Sequence, residues 1–256
     1  MSGKTFKKSL QRAVELITSK QTESNSGKQI VALTGSGISK GSGIPTFRGK
    51  DGLWKHYNVL ELATPQAFSK QPDIVWEWYA WRMNLILEKA PNPAHFALAK
   101  LEQNNLLSWV ITQNVDNLHK RAGSKQILQV HGDIFHAWCM NCGFERQLLT
   151  APKEPPLCPK CQKSFLRPGV VWFGESLDPN VLKKCVQILT EECDVLLIIG
   201  TSGLVYPVAD FPRIAKQNGA VLIEINLEET PISSLADCSI FAPAEKALSA
   251  LSEELL

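Results

Sequence analysis

Residues 30–39 read Ile30-Val31-Ala32-Leu33-Thr34-Gly35-Ser36-Gly37-Ile38-Ser39, a continuous apolar run that passes directly into a glycine turn. A run without polar alternation is the mark of a strand covered on both faces. The pattern predicts a strand over 30–33, a tight turn at the glycines and a helix start after them. Such a unit builds an anion cradle, because glycines let the backbone approach closely and amides at a helix start point at a phosphate. The third glycine of the usual dinucleotide fingerprint is out of place, so a plain tight turn accounts for the same residues.

Further apolar runs lie at 109–111, 127–130, 195–199 and 221–225, with helical stretches between them. Asn92-Pro93 is a cap and first-turn pair for a helix running through Phe96, Leu98 and Leu101. Asn218-Gly219 closes another helix. Phe6, Leu10, Val14 and Ile17 repeat at helical spacing, which predicts an amphipathic helix over 4–20. Strands alternating with helices indicate a parallel, doubly wound α/β sheet. Two stretches break the alternation: 47–90, rich in tryptophan and helix formers, and 139–167, short and punctuated by proline and cysteine. The expected layout is α/β, one domain over 1–256. A Rossmann-like parallel-sheet lobe takes residues 1–46, 91–138 and 168–256. A smaller inserted lobe takes 47–90 as a helical insert and 139–167 as a zinc ribbon.

A net charge of +2 spread over 256 residues gives no basic stripe, so nucleic acid is not an expected partner. No apolar run approaches the roughly 20 residues that span a bilayer, so no membrane is expected either. The N-terminus carries Lys4, Lys7 and Lys8 without the apolar region of a secretory signal. A mitochondrial presequence is the competing reading, and Glu15 argues against it. We expect a cytoplasmic monomer.

Cys139-x2-Cys142, fifteen residues, then Cys158-x2-Cys161 is the spacing of a zinc ribbon. Four thiolates leave no open coordination position, so the expected role is one structural zinc. A redox pair is the competing reading. Cys185, Cys193 and Cys238 are scattered singly and read as core thiols in a reducing compartment.

Three polar clusters sit at or near the ends of apolar runs. Residues 112–119 read as a polar loop with a helix cap; His131 reads as a structural histidine followed by Gly132; residues 200–202 are small. Tyr79 and Arg82 are three apart, so they share a helix face. An aromatic stripe with a solvent-facing arginine explains that pair equally well.

Taken in order, GSGISKGSGIPTFRG (35–49), TQNVDNLH (112–119), QVHGDIFHAWC (129–139), RPGVVWFGE (167–175) and GTSGLVYP (200–207) resemble the sirtuin (Sir2) family. The resemblance covers roughly residues 28–250. Most members have alanine where this chain has Ser36. The resemblance implies an NAD-dependent protein-lysine deacylase that consumes NAD as a co-substrate. Acyl-lysine oxygen attacks the anomeric carbon, nicotinamide leaves, and water finally gives free lysine and acyl-ADP-ribose. It assigns cofactor contacts to Gly35, Ser36, Gly37, Ile38, Pro45, Phe47 and Arg48. Gln113 and Asn114 hold the nicotinamide ribose beside Val115, and Asp116 bonds the carboxamide. Gly200, Thr201 and Ser202 lie along the phosphates or adenosine. Asn226, Leu227 and Glu228 meet the adenosine ribose, and the Ala244 backbone meets adenine. It makes His131 the general base, working with Asn114 and Asp116; His119 and His136 are weaker candidates. The partner is an acylated-lysine protein or peptide, bound by strand addition along Val171, Trp172, Phe173, Gly174 and Glu175, with Val171 lining the lysine tunnel. An interior strand fits those residues too. The Tyr79-x-x-Arg82 pair, with FRGKDGLW (47–54) and LATPQAF (62–68), resembles the members that remove succinyl, malonyl or glutaryl groups. General deacetylation and ADP-ribosyl transfer to protein are the alternatives within the family. A hydride-transferring dehydrogenase and a catalytically silent NAD-binding module are the alternatives outside that chemistry.

Overall fold

The strand expected at 30–33 is β1 (Gln29–Thr34), and it sits in the middle of a six-stranded sheet. A computed structural model describes residues 3–23, 29–48, 52–53 and 56–256. Among these the later strands are β2 (Leu107–Thr112), β3 (Ile127–Gln129), β4 (Gly132–Cys139), β5 (Glu145–Gln147), β6 (Leu166–Val170), β7 (Cys193–Ile199), β8 (Val221–Asn226) and β9 (Cys238–Phe241). The helices are α1 (Gly3–Glu23), α2 (Val59–Leu62), α3 (Pro65–Lys70), α4 (Pro72–Leu87), α5 (Pro93–Gln103), α6 (Leu118–Ala122), α7 (Pro179–Gln187), α8 (Phe211–Gln217) and α9 (Ala244–Leu255).

The main sheet runs β3-β2-β1-β7-β8-β9, with every neighbouring pair parallel. All seven residues of β7 are buried, which explains why it reads as unbroken apolar sequence. Alternate residues of β1 feed opposite faces. Ile30 and Ala32 pack with α1, α5 and α9, while Val31 and Leu33 pack with Ile188, Phe211 and Ala215. The chain leaves β1 towards β2 on one side and returns through β7 on the other, so the strand order reverses beside β1. That reversal is where open α/β sheets form their crevice.

Asn92 caps α5 as expected, its side chain accepting from the Ala94 amide at 2.9 Å. Leu98 and Leu101 are buried, but Phe96 is exposed. Residues two apart face nearly opposite sides of a helix, so Phe96 cannot share their face. The edge strand β9 has only four residues, two of them polar or weakly apolar, and the sequence pattern did not predict it. Cys185 and Cys193 are buried as expected; Cys238, on that edge, is only half-buried.

A second core joins α3 and α4 to the antiparallel sheet β5-β4-β6. Val75, Trp76, Tyr79, Met83 and Ile86 recur at helical spacing on one side of α4 and meet Ile134, Ala137, Leu166 and Val170. The fully buried Trp76 donates its indole N–H to the Leu166 carbonyl at 2.8 Å. This core takes in Ile134, Phe135, Ala137, Val170 and Trp172, which the expected boundaries gave to the large lobe. Of FRGKDGLW, residues Gly49, Lys50, Asp51 and Trp54 lie outside the described residues. Among the described residues no helix is long and apolar enough to cross a membrane.

Candidate active site

Parallel strands end at one edge, so the loops after β1, β2, β3, β7 and β8 converge there. Between them and the second core lies a cleft of about 900 Å³. Its walls bring together Gly35, Ser36, Gly37, Pro45, Phe47 and Arg48 with Gln113, Asn114, Val115 and His131. Gly200, Thr201, Ser202, Asn226, Leu227, Glu228 and Ala244 line one end. Tyr79, Arg82, Val171, Trp172, Phe173, Gly174 and Glu175 line the side formed by the second core. Sequence reasoning missed Lys40, Leu204, Tyr206 and the stretch 229–231, which also face the cleft. That stretch is pinned by the buried Glu224, whose carboxylate accepts the hydroxyls of Thr230, Ser233 and Ser239.

The glycine turn differs from the expectation. Residues Ser36–Ser42 form a 3-10 helix rather than an α-helix, and two glycine amides are already engaged. Gly35 donates to the Ile199 carbonyl at 2.9 Å, and Gly37 to the Gly200 carbonyl at 2.8 Å. A Cβ on Gly37 would stand 2.6 Å from the Gly200 Cα. These glycines therefore serve the approach of one loop to another. Gly200, at a positive φ of 57°, donates in turn to Ile225 at 2.9 Å. Across the same tips Gln113 donates to the Thr201 hydroxyl at 2.9 Å, and Asn226 donates to the Thr201 carbonyl at 2.9 Å.

Ile38 and Asp116 are not among the cleft-lining residues. The Ile38 side chain is fully buried in the main core and its amide donates to the Gly35 carbonyl. Asp116 sits behind the wall: its carboxylate accepts the Ser39 hydroxyl at 2.7 Å and the Leu118 amide at 3.0 Å. Burial raises its pKa against those hydrogen bonds. The Asn114 side-chain amide donates to the Gly35 carbonyl at 3.1 Å and to Ser39 at 3.2 Å, so Ser39 links Asn114 to Asp116.

His131 Nδ1 lies 3.1 Å from the Gln113 carbonyl oxygen. A carbonyl only accepts, so Nδ1 carries the proton and Nε2 keeps a lone pair. Burial lowers the His131 pKa, the Gln113 bond opposes the shift, and the nearby Arg48 charge adds to it. The ring is a neutral base at neutral pH. His119 and His95 are buried beneath the loop with their rings 4.9 Å apart. Burial brings His95 down to about 4 and His119 well below the ordinary histidine range. His136 instead pairs with Glu145 at 3.5 Å on the β4–β5 ribbon.

Arg82 is buried, not solvent-facing, with its guanidinium over the rings of Phe47 (4.6 Å) and Trp78 (4.9 Å). Among the described residues it has no hydrogen-bond or carboxylate partner. Burial lowers its pKa, with Tyr79 and Asp116 opposing the shift, and arginine remains charged in proteins. Burial likewise pushes Tyr79 up to about 12, so its phenol stays protonated. Its oxygen accepts the Trp172 indole N–H at 2.9 Å.

After β6 the chain is not a strand. The amides of Val171, Phe173 and Glu175 donate to the carbonyls of His131, Ala63 and Trp172. Those three donors are thus unavailable for strand addition. The sequence did not reveal the clasp beneath: Arg167, 1% exposed, pairs through both Nη atoms with Glu175.

Away from the cleft, the sulfur atoms of Cys139, Cys142, Cys158 and Cys161 all lie within 4.8 Å of one another. Two of the separations are 3.7 Å and 3.6 Å. Zinc–sulfur bonds of about 2.3 Å in a tetrahedron put sulfurs about 3.8 Å apart, so the four fit a closed zinc shell.

The Sir2 family pattern matches residues 35–207. NAD-dependent protein deacylase 1 of Archaeoglobus fulgidus is 51% identical over 226 residues, which are 88% of this chain and 91% of that protein. A Sir2 homologue solved as an NAD complex superposes with a TM-score of 0.87 at 46% identity, covering 96% of this chain and 93% of the other. A Sir2 solved with a deacetylated p53 peptide and 3'-O-acetyl ADP-ribose gives a TM-score of 0.85 at 32% identity, covering 96% and 98%.

Proposed function

The chain belongs to the Sir2 family, and on that premise we propose that it is an NAD-dependent protein-lysine deacylase favouring acyl groups that end in a carboxylate, such as succinyl, malonyl or glutaryl. The observation that carries this preference is Arg82, a buried cation at the cleft wall that no carboxylate among the described residues hydrogen-bonds or ion-pairs, Asp116 acting on it only through space. A buried, unpaired charge is costly, and a carboxylate arriving there removes the cost. Guanidinium and carboxylate match in a two-bond fork, and the protonated Tyr79 supplies a further donor. The guanidinium carbon lies over the Phe47 and Trp78 rings, which offer its N–H groups no acceptor oxygen.

NAD lies along the sheet edge, its nicotinamide end towards Asn114 and its adenosine end towards Asn226, Leu227, Glu228 and Ala244. Gly35, Ser36, Gly37, Gly200, Thr201 and Ser202 flank it between, and Arg48 faces its phosphates. NAD is a co-substrate: its anomeric carbon takes the acyl oxygen, and nicotinamide, free lysine and acyl-ADP-ribose are the products. Asn114 orients the ribose, and Asp116 fixes Asn114 through the Ser39 hydroxyl. His131, protonated on Nδ1, accepts a ribose hydroxyl proton at Nε2. Val171 flanks the aliphatic stem of the lysine. The four-cysteine zinc has a closed shell and takes no part in the chemistry.

The test compares one peptide bearing acetyl-, succinyl- or glutaryl-lysine, turned over with NAD by wild type and by Arg82→Met. Charge-assisted hydrogen bonds contribute about 1.5–3 kcal/mol, so the substitution is expected to lower acidic-acyl turnover roughly ten- to hundredfold. Acetyl-lysine turning over best, with no effect of Arg82→Met, would make this a general deacetylase. Recovery of ribosylated protein in place of acyl-ADP-ribose would point to ADP-ribosyl transfer.

A further inference from the structure

The acyl-facing wall contains a residue whose polar group faces another protein group. Trp172 is 2% exposed, and its indole N–H reaches the Tyr79 oxygen at 2.9 Å. It is held from three directions. Its own backbone amide donates to Glu175 at 2.8 Å. The Arg167 guanidinium carbon lies 3.5 Å from the ring centroid, and the Phe68 ring packs 5.5 Å away. Arg167 also donates to the Val170 carbonyl at 2.8 Å, so the charge that grips the indole is anchored to β6.

An indole nitrogen donates and never accepts, whereas a phenol has one proton and lone pairs on the same oxygen. A phenolic proton in a symmetrical setting has two in-plane positions. With the Trp172 N–H directed at one lone pair, the Tyr79 proton is forced to the other side. Tyr79 lines the cleft and stays protonated.

We propose that Trp172 is a positioning residue for acyl specificity: its indole N–H fixes the Tyr79 hydroxyl as a donor towards the carboxylate of an acidic acyl group. The proposal rests on the acidic-acyl reading above. Arg82 supplies charge; the Trp172–Tyr79 pair supplies direction. Malonyl, succinyl and glutaryl carboxylates differ in reach, and a donor of fixed direction discriminates among them where a freely rotating one does not.

The experiment is a double-mutant cycle on Tyr79→Phe and Trp172→Phe, read as the ratio of kcat/KM for succinyl- and acetyl-lysine peptides. Ratios cancel losses common to both substrates, so a global folding defect does not move them. Trp172→Phe is expected to lower the ratio roughly three- to tenfold, less than the loss of a whole charge-assisted bond. In the Tyr79→Phe background the same change is expected to lower it no further, because the group it orients is gone. Benzothienylalanine installed at position 172 keeps the fused-ring shape and removes only the N–H. It repeats the test if the phenylalanine variant does not fold. An unchanged ratio in a selective enzyme overturns the positioning role, and so does an equal fall in both backgrounds. A wild type that prefers acetyl-lysine instead overturns the acidic-acyl reading, and that failure is visible before any variant is made.

Discussion

The two walls of the cleft satisfy their polar groups in different ways. On the sheet side, polar groups largely bond to one another: Gly35 and Gly37 to the β7 loop, Gln113 and Asn226 to Thr201, Asn114 to Ser39 and Ser39 to Asp116. On the insert side, Arg82 lies against aromatic faces with no hydrogen-bonded or ion-paired carboxylate among the described residues, and in the same lobe, away from the cleft, four thiols converge on a metal-sized space. The sheet wall is complete as a piece of protein, whereas the insert wall is completed by what it binds. A reaction common to a family fits the first kind of wall, and discrimination among substrates fits the second.

Zinc removal tests that contrast most severely. Metal binding in such modules is folding free energy, on the order of 10 kcal/mol. Chelation is expected to abolish deacylation and to shift tryptophan emission to longer wavelength, because Trp76, Trp78 and Trp172 share the core with the cysteines. Activity persisting in a protein shown to be zinc-free would erase the distinction between the walls. Next in size is the general base. His131→Ala is expected to lower kcat roughly 10²–10⁴-fold, while the loop bonds elsewhere keep the melting temperature near that of wild type. A loss confined to the KM for NAD would make His131 a binding group instead.

The smallest effect concerns acid. His95, His119 and His131 all have folded-state pKa values below the ordinary 6.5, so the unfolded chain binds protons that the folded chain refuses. Their neutral burial contributes stability above about pH 6.5 that is lost as pH falls through that value towards 4. Urea titrations from pH 7 to pH 4 are expected to show this fall, flattened by His95→Asn. An unchanged slope in the variant would remove His95 from the account.

The sheet wall was also the more legible in sequence. Continuous apolar runs marked five of the six parallel strands, and parallel order alone sends the segments after them to one edge. What stayed hidden depends on contacts between distant segments. The 3-10 start at Ser36 follows from bonds to the β7 loop, and nothing within residues 35–42 announces them. Ile38 and Asp116 fall in the right strings, yet their side chains turn inward, because a motif gives positions along the chain and not directions. A solvent-facing Arg82 stayed open as the competing reading because the Phe47 and Trp78 rings that cover it are recognisable only once folded. The Arg167–Glu175 clasp was likewise two ordinary residues of a string until Trp172 was seen between them.

The interlocked tips have a kinetic consequence. Gly35, Gly37 and Gly200 lie in loops, yet each amide bonds to a neighbouring strand end or tip, as amides within a sheet do. Opening one tip exposes its partners, so the three segments open together or not at all. Three stretches scattered between residues 35 and 225 thus behave as one cooperative element, and the cleft floor shares the lifetime of the strands beneath it rather than that of a surface loop.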